Sequence, residues 1–126
     1  MPINHAIVLD NRPEAEVSAS NFKMITAETP ALQEGQVLVK HHYLSLDPYM
    51  RGRMNAGKNY AQPQPLGEPM IGGTVGEVAE SKNAKFAVGQ TVQCMGGWQE
   101  YSVINADTPG ALKRVNAEKI SMSHYL

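Results

Sequence analysis

The chain has 126 residues, which is room for one domain, and its 11 Lys and Arg residues against 12 Asp and Glu give a formal net charge of −1 at pH 7. Hydrophobic residues make up 42% and charged residues 18%, proportions typical of a globular chain and not of a disordered one. This charge balance excludes a basic surface for nucleic acid, and no apolar run reaches the roughly 20 residues of a membrane span. A single cysteine excludes an internal disulfide, and residues 1–5 lack the basic flank and apolar block of a secretory signal, so we expect a cytoplasmic domain.

Short runs of β-branched residues separated by glycine and proline dominate the chain, which predicts an antiparallel, mainly β domain. Gly35 ends a turn that begins at Pro30, and Gly89 precedes another apolar run, so both glycines are expected in tight turns that lead into strands. The predicted strands are, in chain order, residues 6–9, 22–27, 36–46, 73–81, 91–94, 99–104 and 112–115.

Three segments have no strand pattern. Residues 47–54 begin with Asp47 and Pro48, where the proline ring suits the first position of a turn or short helix and the carboxylate can cap it. Residues 57–67 contain two prolines and are expected to form an irregular surface loop. Residues 121–126 resemble the start of a helix that stops within its first turn, and since such a helix is unstable alone, we expect the native protein to be longer.

Two glycine-rich segments nearly match nucleotide-binding motifs, and neither match is complete. Residues 52–59 follow the spacing of a P-loop, but Asn59 stands where the motif needs a hydroxyl to bind Mg²⁺. Residues 72–76 have glycines at the wrong spacing for a Rossmann fingerprint and lead into a strand instead of a helix. Glycine is expected here to let a strand bend sharply, so the residues themselves offer no pyrophosphate site.

The histidines and the cysteine form no metal-binding pattern. His41 and His42 are adjacent in a predicted strand, so their side chains are expected on opposite faces and cannot hold one ion together. His5, His124 and Cys94 are isolated from any paired ligand motif. We therefore expect no metal site, and we expect Cys94 to be a small buried apolar side chain.

The remaining candidate site is the block from His42 to Met54, HYLSLDPYMRGRM. An alternating strand precedes it and a proline-anchored turn follows, so Tyr49 is expected to project from a rigid strand end. A tyrosine in that position offers a phenolic donor and an apolar ring face, which suit the orientation of a carbonyl beside a planar ring. The same pattern is consistent with Tyr49 and Met50 filling a core gap beneath the loop, and the residues alone leave both interpretations open.

The segment LSLDPYMRG, residues 44–52, resembles the signature of zinc-independent medium-chain dehydrogenases/reductases. Three further segments resemble that family in the same order: LGEPMIGGTV at 66–75, VGQTV at 88–92, where Gln90 replaces the usual Asp, and GWQEYSV at 97–103. The resemblance is to the branch that contains leukotriene B4 dehydrogenase/prostaglandin reductase, plant alkenal double-bond reductases and bacterial NADPH-dependent curcumin reductase.

The resemblance implies a two-domain enzyme of which this chain matches the first domain. Residues 1–115 would form a GroES-like, partly open β-barrel that shapes the substrate site, and residues 116–126 would start the connection to a Rossmann domain that binds NADPH. Zinc-dependent relatives carry Cys and His ligands in neighbourhoods where this chain has Leu46 and Ile71, so the resemblance implies no metal. It also implies a homodimer formed mainly through the Rossmann domain.

For the site, the resemblance implies a set of five residues. Tyr49 would lie near the nicotinamide and the substrate, as the catalytic residue and this chain's contact with the cofactor. Asp47 and Pro48 would set the turn beside the substrate pocket, and Met50 would line an adaptable apolar wall. Arg51 would be a structural ion-pair partner or a loop clamp.

The expected function is that of the substrate-side domain of an NADPH-dependent ene-reductase, inactive as an isolated domain. The whole enzyme would reduce the C=C bond of a small α,β-unsaturated ketone or aldehyde, with hydrogen-bond donors in place of zinc to stabilise charge on the carbonyl oxygen. Two alternatives remain. One is a stand-alone β-barrel binding module, and the other is a metal-dependent alcohol dehydrogenase domain, against which the ligand pattern argues.

Overall fold

The computed structural model describes residues 2–47, 49–54 and 63–115, with the backbone alone at residue 49. Within these ranges the chain is mainly β, as predicted, and has no helix long and apolar enough to cross a membrane. The predicted helix start at 121–126, the connection at 116–126 and most of the predicted loop at 57–67 lie outside the described residues. The elements are β1 (Ile3–Leu9), a 3₁₀ turn (Ala19–Asn21), β2 (Phe22–Glu28), β3 (Gln36–Leu44), α1 (Tyr49–Arg53), β4 (Thr74–Ser81), β5 (Thr91–Cys94), β6 (Tyr101–Asn105) and β7 (Lys113–Arg114).

The strands form two antiparallel sheets. β1 and β2 pair over their full length, from Ile3 opposite Glu28 to Leu9 opposite Phe22. The second sheet has the order β6-β3-β4-β5-β7. β6 and β7 lie at its two edges and do not pair with each other in the described part of the chain, so the sheet is open there. This arrangement agrees with the predicted partly open architecture.

β1 connects the small sheet to two connecting segments of the large sheet, one before β4 and one before β6. On the edge away from β2, the Ile7 amide donates to the Trp98 carbonyl at 2.8 Å, and the Ile7 carbonyl accepts from the Met70 amide at 3.0 Å. The Glu100 amide donates to the His5 carbonyl at 3.0 Å. The strand predicted over residues 99–104 therefore begins two residues later, at Tyr101, because Gln99 and the Glu100 amide pair with β1. The Glu100 carbonyl still accepts from the His41 amide of β3 at 2.7 Å.

Two buried apolar clusters hold the fold together. Val37 and Val39 are two residues apart in β3, so they share one face of the large sheet. Met50 and Met54 are four residues apart, which places them on one face of a helical turn. The first cluster is Val37, Val39, Val78, Phe86 and Val92, and the second is Leu9, Met50, Met54 and Met70, with Phe22 and Trp98 packed against it.

Gly76 allows β3 and β4 to approach closely at a bulge. The register between these strands shifts between His41 and Tyr43, and a Cβ on Gly76 would lie 2.8 Å from the Cα of His41. That separation is shorter than two carbon atoms tolerate, so only glycine fits. Gly35 and Gly89 have φ values of +84° and +93°, which confirms the predicted turns.

Candidate active site

α1 begins just past the end of β3 and is five residues long. Its first turn closes on the backbone carbonyl of Asp47, which accepts from the Met50 amide at 3.1 Å. Its last turn closes between the Met54 amide and the Arg51 carbonyl at 3.2 Å. The prediction of a turn or short helix over residues 47–54 is confirmed. Tyr49 is the first residue of the helix, and its side chain, like Pro48, lies outside the described part of the chain.

Two methionines anchor α1 to the core. Met50 and Met54 are each 4% exposed and pack with Leu9 and Met70. Full burial of such a side chain stabilises a fold by roughly 1.5–3 kcal/mol relative to leaving it exposed, so these two contacts fix the inner face of the helix. The structure thus places Met50 in the core beneath α1, and a part for it in a substrate pocket stays a prediction.

Asp47 lies just before α1, and Arg51 is the middle residue of the helix. The Nη2 of Arg51 donates to the Ala15 carbonyl at 2.7 Å, which ties α1 to the segment between β1 and β2. This contact agrees with the loop-clamp interpretation of Arg51. Asp47 is half-buried, and its carbonyl is already engaged by the helix. Their membership of a substrate pocket stays a prediction.

Gly72 is the point where α1, the end of β3 and the segment before β6 meet. A Cβ on Gly72 would lie 2.7 Å from the Cδ1 of Leu44 and 3.2 Å from both the Cε of Met50 and the Cδ1 of Trp98. Three side chains from the end of β3, α1 and the segment before β6 therefore surround one bare α-carbon. The Gly72 carbonyl also accepts from the Gly97 amide at 3.0 Å, which holds the segment before β6 against this point.

An open apolar cavity of about 440 Å³ adjoins this junction. Leu44 and Trp98 form part of its wall, and Met24, which is 63% exposed, presents its side chain from β2. At the rim, the Nδ1 of His5 bonds the carboxylate of Glu100, and this contact holds the pKa of Glu100 below its usual range. The lining residues are His5, Ile7, Met24, Leu44, Trp98, Gln99 and Glu100.

Sequence reasoning did not find this cavity. Its lining comes from β1, β2, the end of β3 and the segment before β6, and no local motif joins these four places. The one available signal was that Leu44 and Trp98 both fall in segments that resemble the reductase family. The sequence places Tyr49 five residues after Leu44, and the structure places Met50, next to Tyr49, against Leu44 at Gly72.

The two adjacent histidines have different partners, which agrees with the predicted placement of their side chains on opposite faces. The Nε2 of His41 is hydrogen-bonded to the Oγ of Ser102 at 2.7 Å, and burial, together with the charge of His42, lowers the pKa of His41 to about 4. His41 is therefore neutral at pH 7. His42 instead lies 3.2 Å from the carboxylate of Glu77 at the surface.

Cys94 is buried, as predicted, and burial raises the pKa of its thiol. Thr74 Oγ1 donates to the Cys94 carbonyl at 3.1 Å and accepts from the Gly96 amide at 3.2 Å. A neutral, enclosed thiol is a poor nucleophile and a poor metal ligand. In the described ranges no three His, Cys, Asp or Glu side chains converge as a metal centre would require.

A family model described as the N-terminal domain of oxidoreductase matches residues 5–112. The chain belongs to this family. The resemblance to curcumin, prostaglandin and alkenal reductases is confirmed by relatives from all three groups.

The NADPH-dependent curcumin reductase of Escherichia coli (strain K12) is 40% identical over 104 residues, which are 82% of this chain and 30% of that protein. Prostaglandin reductase 1 of Bos taurus is 37% identical over 99 residues, 79% of this chain and 27% of that protein. The crystal structure of CurA from Vibrio vulnificus in complex with NADPH has a TM-score of 0.88 at 38% identity, and the match covers 97% of this chain and 35% of that one. The chain thus spans about a third of the length of these relatives.

Proposed function

We propose that this chain is the substrate-side part of an NADPH-dependent oxidoreductase that reduces the C=C bond of α,β-unsaturated ketones and aldehydes. The observation that carries the proposal is the position of Tyr49 at the first residue of α1, on a helix whose Met50 meets the wall of the apolar cavity at Gly72. The names of the relatives support it. One is a 2-alkenal reductase from Nicotiana tabacum, 39% identical over 90 residues, 71% of this chain and 26% of that protein, and a 2-alkenal is an aldehyde conjugated to a C=C bond.

The glycine-rich segment 72–76 offers no place for the pyrophosphate of NADPH. Gly72 is covered by three side chains, and Gly76 lies against the backbone of β3, so neither glycine can let a phosphate approach the main chain. The proposal therefore assigns the nucleotide to a Rossmann domain in the rest of a longer protein. Tyr49 would be this chain's contact with the nicotinamide end.

In the proposed reaction, bound NADPH supplies the hydride that the β-carbon of the substrate receives. Negative charge then develops on the carbonyl oxygen, and the phenol of Tyr49 would donate a hydrogen bond to that oxygen. A proton from solvent or a tyrosine would then reach the α-carbon and complete the reduction. The wall formed by Leu44, Met24 and Trp98 would hold the apolar part of the substrate and exclude water. The division of labour is that this chain positions the enone and stabilises its charge.

The proposal includes zinc independence. A metal-dependent dehydrogenase would need ligands near the turn before α1 and the segment before β4. The residues there, Leu46 and Ile71, have no metal-binding groups, and Leu46 is 71% exposed. We also propose that the enzyme is a cytoplasmic homodimer and that residues 1–126 alone have no activity.

The test is product analysis with the full-length protein. NADPH and a 2-alkenal are expected to give the saturated aldehyde at a rate that a metal chelator does not change, and residues 1–126 alone are expected to leave NADPH unconsumed. Formation of the allylic alcohol would mean C=O reduction and would contradict the proposal. A full-length protein that binds the 2-alkenal without consuming NADPH would favour a binding module instead.

A further inference from the structure

Arg12, in the segment between β1 and β2, is half-buried and connects two separate parts of the candidate site. Its Nη1 donates to the Met54 carbonyl at 2.9 Å, and its Nη2 donates to the Gln64 carbonyl at 3.0 Å. Met54 directly follows α1, and Gln64 lies near the start of the described segment 63–73, which leads to β4. A guanidinium is a rigid planar fork, so it fixes the spacing of the two carbonyls in a way that a lysine ammonium cannot.

We infer that Arg12 is a positioning residue that holds α1, and with it Tyr49, in the geometry that the reaction needs. Arg12 lies outside the sequence motifs described above, and the proposed reaction gives it no contact with substrate or cofactor. The inference rests on the proposed function, because Arg12 affects the reaction only by positioning Tyr49.

Gln64 extends the reach of this contact. Its side chain is 5% exposed, its Nε2 donates to the Pro69 carbonyl at 3.0 Å, and its Oε1 accepts from the Ile71 amide at 3.0 Å. The backbone amide of Gln64 donates to the Arg53 carbonyl at 2.6 Å. Gln64 thus bonds the end of α1 through its backbone amide and Ile71, beside Gly72, through its side chain. The Arg12 guanidinium bonds the backbone carbonyl of that same Gln64.

Arg51 makes the corresponding contact in the opposite direction. Arg12 reaches from the segment after β1 to the end of α1, and Arg51 reaches from α1 to Ala15 in that segment, at 2.7 Å. A five-residue helix is far below the roughly 12–15 residues at which an isolated helix becomes even marginally stable. Its position must therefore be set by tertiary contacts of this kind.

Small displacements of α1 would matter because Tyr49 and the acceptor of Arg12 lie at its two ends. The helix spans Tyr49–Arg53, and Met54 is the next residue, so a movement at the Arg12 contact is transmitted over a little more than one turn. A misplacement of about 1 Å in a reacting group can lower a rate on the order of a hundredfold.

The test uses Arg12→Lys and Arg12→Gln in the full-length protein. We expect Arg12→Lys to lower kcat for a 2-alkenal roughly tenfold. The matched control is Arg114→Lys, because Arg114 lies over the ring of Phe86 at 5.0 Å, in the other buried cluster. In a Tyr49→Phe background, Arg12→Lys should cause no further loss of kcat. An equal loss in both backgrounds would assign Arg12 a merely structural part and overturn the inference.

Hydrogen exchange provides a second readout that does not depend on activity. In Arg12→Lys the amides of Met50 and Met54 should exchange faster, while the amides paired between β3 and β4 keep their protection. Unchanged exchange in α1 would overturn the inference even in an enzyme that reduces 2-alkenals. Faster exchange would support the contact even if the proposed reaction were wrong. Should Arg12→Gln fail to fold, Arg12→Lys carries the test, because it keeps the charge and the alkyl stem.

Discussion

Met50 and Trp98 converge on the bare α-carbon of Gly72, where a Cβ would lie 3.2 Å from the terminal methyl of the one and from the indole edge of the other. Met50 belongs to the helix that begins with Tyr49, and Trp98 belongs to the wall of the apolar cavity. The start of the helix and the cavity are therefore coupled at one glycine. A change in packing at Gly72 should therefore displace both the start of α1 and the wall of the cavity.

Gly72→Ala is expected to destabilise the fold by about 1–3 kcal/mol, because the added methyl overpacks a filled site. Urea denaturation measures the change, and Trp98, the single tryptophan, reports it by fluorescence. The matched control is Gly52→Ala in α1, where a Cβ meets nothing within 4 Å among the described residues. That control should be neutral or stabilise the fold by up to about 1 kcal/mol, since alanine favours helix. Equal effects at the two glycines would contradict the packing described here.

The stability of the domain should fall as the pH is lowered from 6.5 towards 4. The pKa of His41 is lowered from 6.5 to about 4 in the fold, so between these values the unfolded chain binds more protons than the folded one. Stability is therefore full above pH 6.5 and is reduced by up to about 3 kcal/mol near pH 4. Glu100, whose pKa is lowered by its hydrogen bond with His5, acts with the same sign but only below its usual 4.5.

His41→Gln tests the source of this slope. Urea denaturation at a series of pH values above 4.5 should show the loss of stability in the unmodified chain and a nearly flat profile in the variant. A slope of the same size in His41→Gln would mean that another group is responsible.

Much of the fold could be predicted because its signals are local. The alternation of Val37 and Val39 identifies a strand from neighbouring residues alone, and the proline at position 48 identifies a turn or short helix. Residues 99–100 are predicted as the start of a strand that in the structure begins at Tyr101, because their pairing with β1 depends on a contact almost a hundred residues away in the chain. Tyr49 could be singled out because it lies in a recognisable segment.

The hydrogen bonds of Arg12 and Gln64 that hold α1 in position could not be predicted from the sequence in the same way. Arg12 resembles any surface arginine in the sequence, and its part depends on where the carbonyls of Met54 and Gln64 lie in space. Gln64 has no distinguishing sequence context either, although four hydrogen-bonding groups around it are satisfied by one amide side chain. Every residue has a backbone carbonyl, so the sequence does not show which carbonyls accept a hydrogen bond from a distant side chain.

The apolar cavity predicts a dependence of the rate on chain length. Each methylene buried contributes about 0.8 kcal/mol, so kcat/KM of the full-length protein should rise about fourfold per added CH₂ of a 2-alkenal until the cavity is filled. Met24→Trp, which fills part of the cavity from β2, should flatten this rise and leave the shortest substrates unaffected. Val88→Trp is the control, because Val88 is exposed in a different part of the fold. The same rise in Met24→Trp as in the unmodified enzyme would place the substrate elsewhere.

The central claim is that Tyr49 donates a hydrogen bond to the carbonyl of a conjugated substrate, and Tyr49→Phe in the full-length protein tests it most directly. The variant loses one hydroxyl, so kcat/KM for a 2-alkenal should fall roughly ten- to a hundredfold while Tyr101→Phe, in β6, keeps the unmodified rate. An unchanged kcat/KM in Tyr49→Phe would contradict the account and return this tyrosine to a packing role.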